Sequence, residues 1–374
     1  MSKRFIKIIF INIFLFISLI ISLEIISGYI VSLNSTKKSK SNLKHLIIKY
    51  LEDKKNNNKI KTNRIEKIIS IRSKGNKNIY PSYLYDPQAH EINNLNFWFS
   101  HPKNSEILFC DEGSGLVKFK TNKLGLRNVI SQDLNLPIDI LVLGDSYVEG
   151  ACVDKPFDIS SQLAELNDKN VLNLGRSGSG PLFQLALLKE ILEYRNLGEL
   201  TFNKDSKLIW VIFTGNDLLD LSYEKISILQ RYMEDYNISY FKELELSNIK
   251  FNNFFEEIFA DPKNNKNIGR IGDVLNTKSI AGKNALIDFE KVFEEIIETS
   301  KKNNLDLKVI TLTNHKAKSR QMMNKTDNLI NKLCNNFNIK CNSVNLRQIN
   351  KSNRGHLNEK GYKKLSEIIN EFAF

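Results

Sequence analysis

The chain has 374 residues, is 41% hydrophobic and carries a formal net charge of +12. That is enough apolar material for one large core or two modest ones, and it excludes collagen-like and disulfide-dense scaffolds. The lysine excess runs along the whole length, in stretches such as NKNIY and DPKNNKN. No RNP, zinc-finger or helix-turn-helix pattern accompanies it, so no nucleic-acid partner is expected.

The N-terminus opens with a short basic tail, MSKRFIK, over residues 1–7. An apolar run follows over 8–33, and a membrane span needs roughly 20 such residues. No small-x-small cleavage site ends the run, so an uncleaved transmembrane anchor is expected and the membrane is a partner. Lys3, Arg4 and Lys7 place the N-terminus in the cytoplasm, while Lys37, Lys38 and Lys40 on the far side count against that orientation. The expected location is the inner (cytoplasmic) membrane, single-pass, with the bulk of the chain extracytoplasmic or periplasmic. Residues 34–79 read as a charged, asparagine-rich tether with some helix at LKHLIIKYLED.

The remaining domain, 80–374, begins with a lead-in over 80–137. From about Ile138 short apolar runs alternate with amphipathic stretches. IDILVLG, KNVLNLG, KLIWVIFTG, LDLKVITLT and IKCNSV read as five strands. FDISSQLAEL, PLFQLALLKEILEY, a helix beginning at NDLLDL, LIDFEKVFEEIIETSKKN, MMNKTDNLINKLCNNF and NEKGYKKLSEIINEFAF read as helices, with Pro181 suited to a first turn. Apolar strands alternating with helices predict an α/β, doubly wound, flavodoxin-like parallel sheet with helices on both faces. Residues 237–282 break the rhythm and read as an insertion, either a lid or a partner surface.

Four cysteines are present: Cys110, Cys152, Cys334 and Cys341. In an oxidising compartment Cys334 and Cys341 could close a small loop as a disulfide; two buried free thiols fit equally well. None of the four has zinc-ligand spacing, so no metal is expected.

Ligands of an open parallel sheet bind beyond the carboxyl ends of its strands. There the sequence places Gly144-Asp145-Ser146, the loop GRSGSG from Gly175 to Gly180, Thr214-Gly215-Asn216-Asp217, Asn314-His315, and, before the last helix, Arg354-Gly355-His356-Leu357-Asn358. A hydroxyl, a glycine loop, a carboxamide and imidazoles on one edge are the parts of an acyl-transfer site. A serine needs a base, and a tetrahedral oxyanion needs preorganised donors. GRSGSG has neither the spacing nor the acidic partner of a dinucleotide loop, and GDSYVEG is not a G-x-S-x-G elbow.

These blocks, in this order, resemble the SGNH (GDSL-type) hydrolases over roughly Ile138 to Phe374. TNKLGLRN, just before the first strand, resembles the N-x-x-G-x-R lead-in of membrane-anchored bacterial members. The resemblance implies an ester hydrolase without cofactor, acting through a serine acyl-enzyme on an acyl-ester substrate, such as an acetyl group on a carbohydrate or small ester. A cell-envelope polysaccharide is a candidate substrate. Ser146 would be the nucleophile and His356 the base. The amides of Ser146 and Gly178 and the side chain of Asn216 would form the oxyanion hole, with Gly175 the alternative to Gly178. His315 is the reserve base; His45, His90 and His101 lack a comparable neighbourhood. The chain departs from the family in having Thr214 at the head of its third block. It also lacks an aspartate shortly before the histidine, where Asn353 and Arg354 stand. The expectation is a Ser–His dyad or an acid from elsewhere, with Asp145, Asp217 and Asn353 as supporting residues. The alternatives are a polysaccharide O-acetyltransferase or a catalytically weakened carbohydrate-binding module of the same fold.

Overall fold

The computed structural model describes residues 67–82, 98–110, 116–225, 227–234, 240–260, 285–313, 320–349 and 355–374. The tail and anchor expected over 1–33, and the tether as far as residue 66, lie outside them. Among the described residues no helix is long and apolar enough to cross a membrane.

A short helix, α1, covers residues 67–73. A small sheet follows from β1 (Ile79–Pro81), β2 (Glu106–Leu108) and β3 (Lys118–Lys120), with β1 and β2 parallel and β2 and β3 antiparallel. The main sheet is built from β4 (Ile138–Gly144), β5 (Val171–Gly175), β6 (Phe202–Phe213), β7 (Asp306–Thr313) and β8 (Lys340–Asn345). All four pairings are parallel, in the order β5-β4-β6-β7-β8. The helices are α2 (Ser146–Glu149), α3 (Ile159–Asn167), α4 (Pro181–Asn196), α5 (Asp217–Glu224), α6 (Leu244–Ala260), α7 (Ala285–Lys302), α8 (Arg320–Phe337) and α9 (Glu359–Ala373).

β4, β7 and the second half of β6 are largely apolar because both faces are covered, whereas the edge strand β8 is mostly polar; side chains alternate between the faces. Leu141, Leu143, Leu172, Leu174, Leu208, Trp210 and Val309 point to one core with α4, α5, α7 and α8. Ile140, Val142, Ile209, Val211, Ile310 and Leu312 point to the other, with Tyr147, Leu163, Tyr362, Leu365 and Ile369. α9 therefore lies over α3, where Asn167 donates to Asn370 at 2.7 Å.

The small sheet has its own aromatic core. Tyr80, Trp98, Ile107, Phe109 and Phe119 meet Phe251, Phe254 and Phe255 of α6. The described helix of the 237–282 insertion thus covers this sheet. Ala151 and Cys152, just past α2, join the same cluster. A disulfide from Cys110 to Cys152 fastens the two, and a second joins Cys334 to Cys341.

Trp210 is fully buried in β6, and its Nε1 donates to Gln184 Oε1 at 2.7 Å. Trp210→Ala empties the centre of one core and strands a buried amide, so it should cost about 3–5 kcal/mol in chemical denaturation. A loss below about 1 kcal/mol would contradict that packing.

Candidate active site

The site begins with strand register. Gly144 pairs with Gly175 on one side and with Val211 on the other. β4 is central between β5 and β6, so the segments that follow these three strands emerge side by side at the carboxyl edge. Ser146, the GRSGSG loop and Asn216 are neighbours for that reason.

At the end of β4 the chain turns directly into α2. Asp145 is the N-cap, its Oδ1 accepting from the Tyr147 amide at 2.9 Å. The cap is local chemistry of the kind that aspartate favours. It places Ser146 at the first helical position, half-buried, at the sheet edge. Asp145 is therefore a turn former and a buried carboxylate at once, its Oδ2 lying 3.4 Å from Ser146 Oγ.

His356 reaches the same point from the opposite edge of the sheet. β8 is the last strand in the order, yet Ser146 Oγ and His356 Nε2 are 2.9 Å apart, joined by a hydrogen bond. Three local features hold the imidazole. Leu357 is fully buried in the second core. Asn358 caps α9, its Oδ1 accepting from the Gly361 amide at 2.9 Å. The ring also lies against Tyr147, with centroids 5.2 Å apart. The apolar leucine and the capping asparagine of G-H-L-N thus anchor the backbone immediately after the histidine.

The two glycine candidates separate. The Gly175 amide donates to Asn173 Oδ1 at 2.8 Å. A Cβ at Gly175 would also overlap the backbone of Glu149, so this glycine lets β5 approach α2. Gly178 is exposed on the loop, and among the described residues no group accepts from its amide. Asn216 is half-buried, immediately before α5, and donates to Oδ2 of Asp220 in the first turn of that helix at 2.6 Å, which fixes its amide plane. Thr214 binds the Leu312 carbonyl through its amide at 3.0 Å and its hydroxyl at 3.2 Å, tying the ends of β6 and β7. Asp217 accepts from the Phe213 amide at 3.0 Å. It does not cap the helix with its side chain; it fastens the strand end. Asn353, Arg354 and His315 lie outside the described residues.

Two buried carboxyls sit close to this hydroxyl–imidazole pair. Burial pushes Asp145 up to about 6, against the opposing pull of the Tyr147 amide and of His356. Asp217 is pushed well up by burial and then by the charges of Asp145 and Asp220. Of the two, Asp217 holds its proton more tightly, which leaves Asp145 as the ionised member beside His356.

One residue set aside on sequence belongs to the surroundings of the site. His101, which has no suggestive neighbours in sequence, is fully buried, and its Nε2 lies 2.7 Å from Glu149 Oε1 on α2. Only the fold brings them together.

No protein-family model matches the sequence, and no curated protein matches it. Among solved structures the chain is similar to a lipolytic protein of the G-D-S-L family from Desulfitobacterium hafniense, with 10% identity and a TM-score of 0.36, covering 62% of this chain and 98% of that one. It is also similar to a carbohydrate acetylesterase from Sinorhizobium meliloti, with 9% identity and a TM-score of 0.34, covering 63% and 97%. A third is a catalytic mutant of an acetylxylan esterase from Geobacillus stearothermophilus, with 11% identity and a TM-score of 0.34, covering 64% and 96%.

The raised Asp145 pKa has a definite sign in stability. The folded chain holds this proton more tightly than the ordinary carboxyl value of 3.8, up to about 6. Its stabilisation is therefore present below about pH 4 and is lost as pH rises through about 6. The unfolding midpoint of the native chain, measured against Asp145→Asn, should fall between about pH 4 and pH 7. A difference that stays flat across this range would contradict the burial argument.

Proposed function

We propose that this chain is an SGNH-type serine ester hydrolase that removes acyl groups, acetyl foremost, from a carbohydrate or small ester. The reading rests on one observation above the others, the 2.9 Å hydrogen bond between Ser146 Oγ and His356 Nε2. A serine hydroxyl is a weak nucleophile until a base accepts its proton, and this pair has that geometry.

In this mechanism Ser146 Oγ attacks the acyl carbonyl while His356 Nε2 takes the hydroxyl proton. The carbonyl oxygen becomes an oxyanion and is met by the amides of Ser146 and Gly178 and by the carboxamide of Asn216. The intermediate collapses, the C–O bond to the alcohol breaks, and His356 returns the proton to the leaving oxygen. Water then attacks the acyl-enzyme by the same route in reverse. The Gly178 assignment is supported by the engagement of the Gly175 amide with Asn173.

The imidazolium formed in each half needs a counter-charge. The residues 343–355 before His356 contain no acid. Asp145 supplies it through space: its charge and that of His356 attract, and its carboxylate is buried where screening is weak.

The domain is carried outside the cytoplasm on an anchor over residues 8–33. The apolar run supports this, as do the two disulfides, which persist in oxidising compartments. An envelope glycan is then the substrate within reach, and its acetyl esters suit the proposed chemistry.

p-Nitrophenyl acetate tests the reaction class. Ser146→Ala should lower kcat by at least about a thousandfold, and Asn216→Ala by about a hundredfold. Equal rates in native and Ser146→Ala protein, or none in either, would sink the hydrolase reading. Acetyl transfer to an added glycan in excess of hydrolysis would show a transferase instead. Protease digestion of spheroplasts should cleave the domain; full protection would overturn the extracytoplasmic placement.

A further inference from the structure

We infer that Glu149, oriented by His101 and Arg176, is a positioning residue that holds the amide row of residues 177–178 against the nucleophile helix. The inference rests on the hydrolase reading and extends it to residues that touch no substrate.

Glu149 is the last residue of α2, one turn beyond Ser146, and is buried. Its two oxygens do different work. Oε2 accepts from the Ser177 amide at 2.8 Å. Oε1 accepts from His101 Nε2 at 2.7 Å and from Arg176 Nη1 at 3.1 Å. Arg176 is in turn fixed by the Trp98 carbonyl, which accepts from Nη2 at 3.2 Å. The residue after Ser177 is Gly178, the proposed oxyanion donor. One carboxylate therefore ties the helix that carries the nucleophile to the loop that carries the donor, and both ends of that tie are buried or half-buried.

The protonation states suit the task. Burial, and then the Arg176 charge, push His101 down to about 4, so it is a neutral ring near pH 7. Burial alone would raise Glu149; the His101 hydrogen bond and the Arg176 charge outweigh it and hold the carboxyl down at about 2. Arg176 Nη1 also meets His101 Nε2, so a neutral ring, an ionised carboxylate and one guanidinium form a single buried cluster.

The lead-in motif explains why the cluster is held so firmly. Asn122 Oδ1 accepts from the amides of Leu124 at 2.9 Å and Leu126 at 3.2 Å, which shapes a tight turn. Gly125 sits in that turn at φ +76°, where a Cβ would strike the His101 carbonyl. The Gly125 carbonyl accepts from the His101 amide at 2.9 Å. Arg127 then reaches under α2, donating from Nη1 to the carbonyls of Glu149 and Gly150, each at 2.9 Å, and from Nη2 to Val153 at 3.0 Å. The asparagine makes the turn, the glycine lets His101 approach, and the arginine clamps the end of the nucleophile helix. N-x-x-G-x-R is thus the far support of the proposed oxyanion hole.

The test is steady-state turnover of p-nitrophenyl acetate by the full chain. Glu149→Gln keeps the shape but has a single acceptor oxygen for three donors. His101→Gln keeps an N–H near the position of Nε2, and His101→Phe removes it. Glu149→Gln and His101→Phe should each lower kcat about ten- to a hundredfold with KM within about threefold, as expected when a reacting group is displaced by about an ångström. His101→Gln should recover most of the native kcat. Where Glu149→Gln fails to fold, the His101 pair carries the test. Native kcat in Glu149→Gln or in His101→Phe overturns the positioning role while leaving the hydrolase reading intact. Equal loss in His101→Gln and His101→Phe also overturns it. A native chain with no turnover overturns the reading and this assignment together.

Discussion

A hydrogen bond of 2.9 Å between Ser146 and His356 closes a loop of 210 residues. Everything else in the main domain serves that closure. The serine follows a central strand and the histidine follows an edge strand, so the chain must cross back over the sheet before its last helix. The crossing is stabilised by burial: Leu357, Tyr362, Leu365 and Ile369 sink into the core shared with α3. Packing of four side chains of this size contributes several kcal/mol, more than one hydrogen bond between half-exposed groups can. The site geometry is set by hydrophobic packing and then sharpened by polar contacts.

The nucleophile helix is only four residues long. Such a helix has almost no intrinsic stability, because nucleation is unfavourable and little propagation follows. It is held from outside instead. Asp145 caps its start, Arg127 binds the carbonyls at its end, and Cys152 just beyond is fastened to Cys110. The small sheet with α6, which looks like an appendage in the topology, supplies part of this hold through its aromatic core. The short helix and the oxyanion loop therefore depend on a segment of chain that lies outside the main sheet.

The main sheet could be read from the sequence because its inner strands are buried on both faces and so carry apolar runs. IDILVLG and KLIWVIF state their environment locally. The small sheet was opaque. β1, β2 and β3 are three residues each, too short for periodicity to register. They acquire a core only when α6 arrives from more than a hundred residues downstream. His101 carries no mark in the sequence for the same reason: its partner Glu149 is 48 residues away, and nothing near either residue signals the pairing. The Cys110–Cys152 bridge, 42 residues apart, was equally invisible, whereas Cys334 and Cys341, seven apart, could be considered as a pair. Local chemistry was legible, and so was the distant Ser146–His356 pair, because each partner sits in a block of the family resemblance; the other long-range polar contacts were not.

The central claim is that His356 activates Ser146. A fluorophosphonate probe reports this without any knowledge of the natural substrate, because it phosphonylates only an activated serine. Intact-mass and peptide mapping of the native chain should show a single adduct on Ser146, formed at least about a hundredfold faster than in His356→Ala. An adduct elsewhere, or equal labelling rates in the two proteins, would contradict the account.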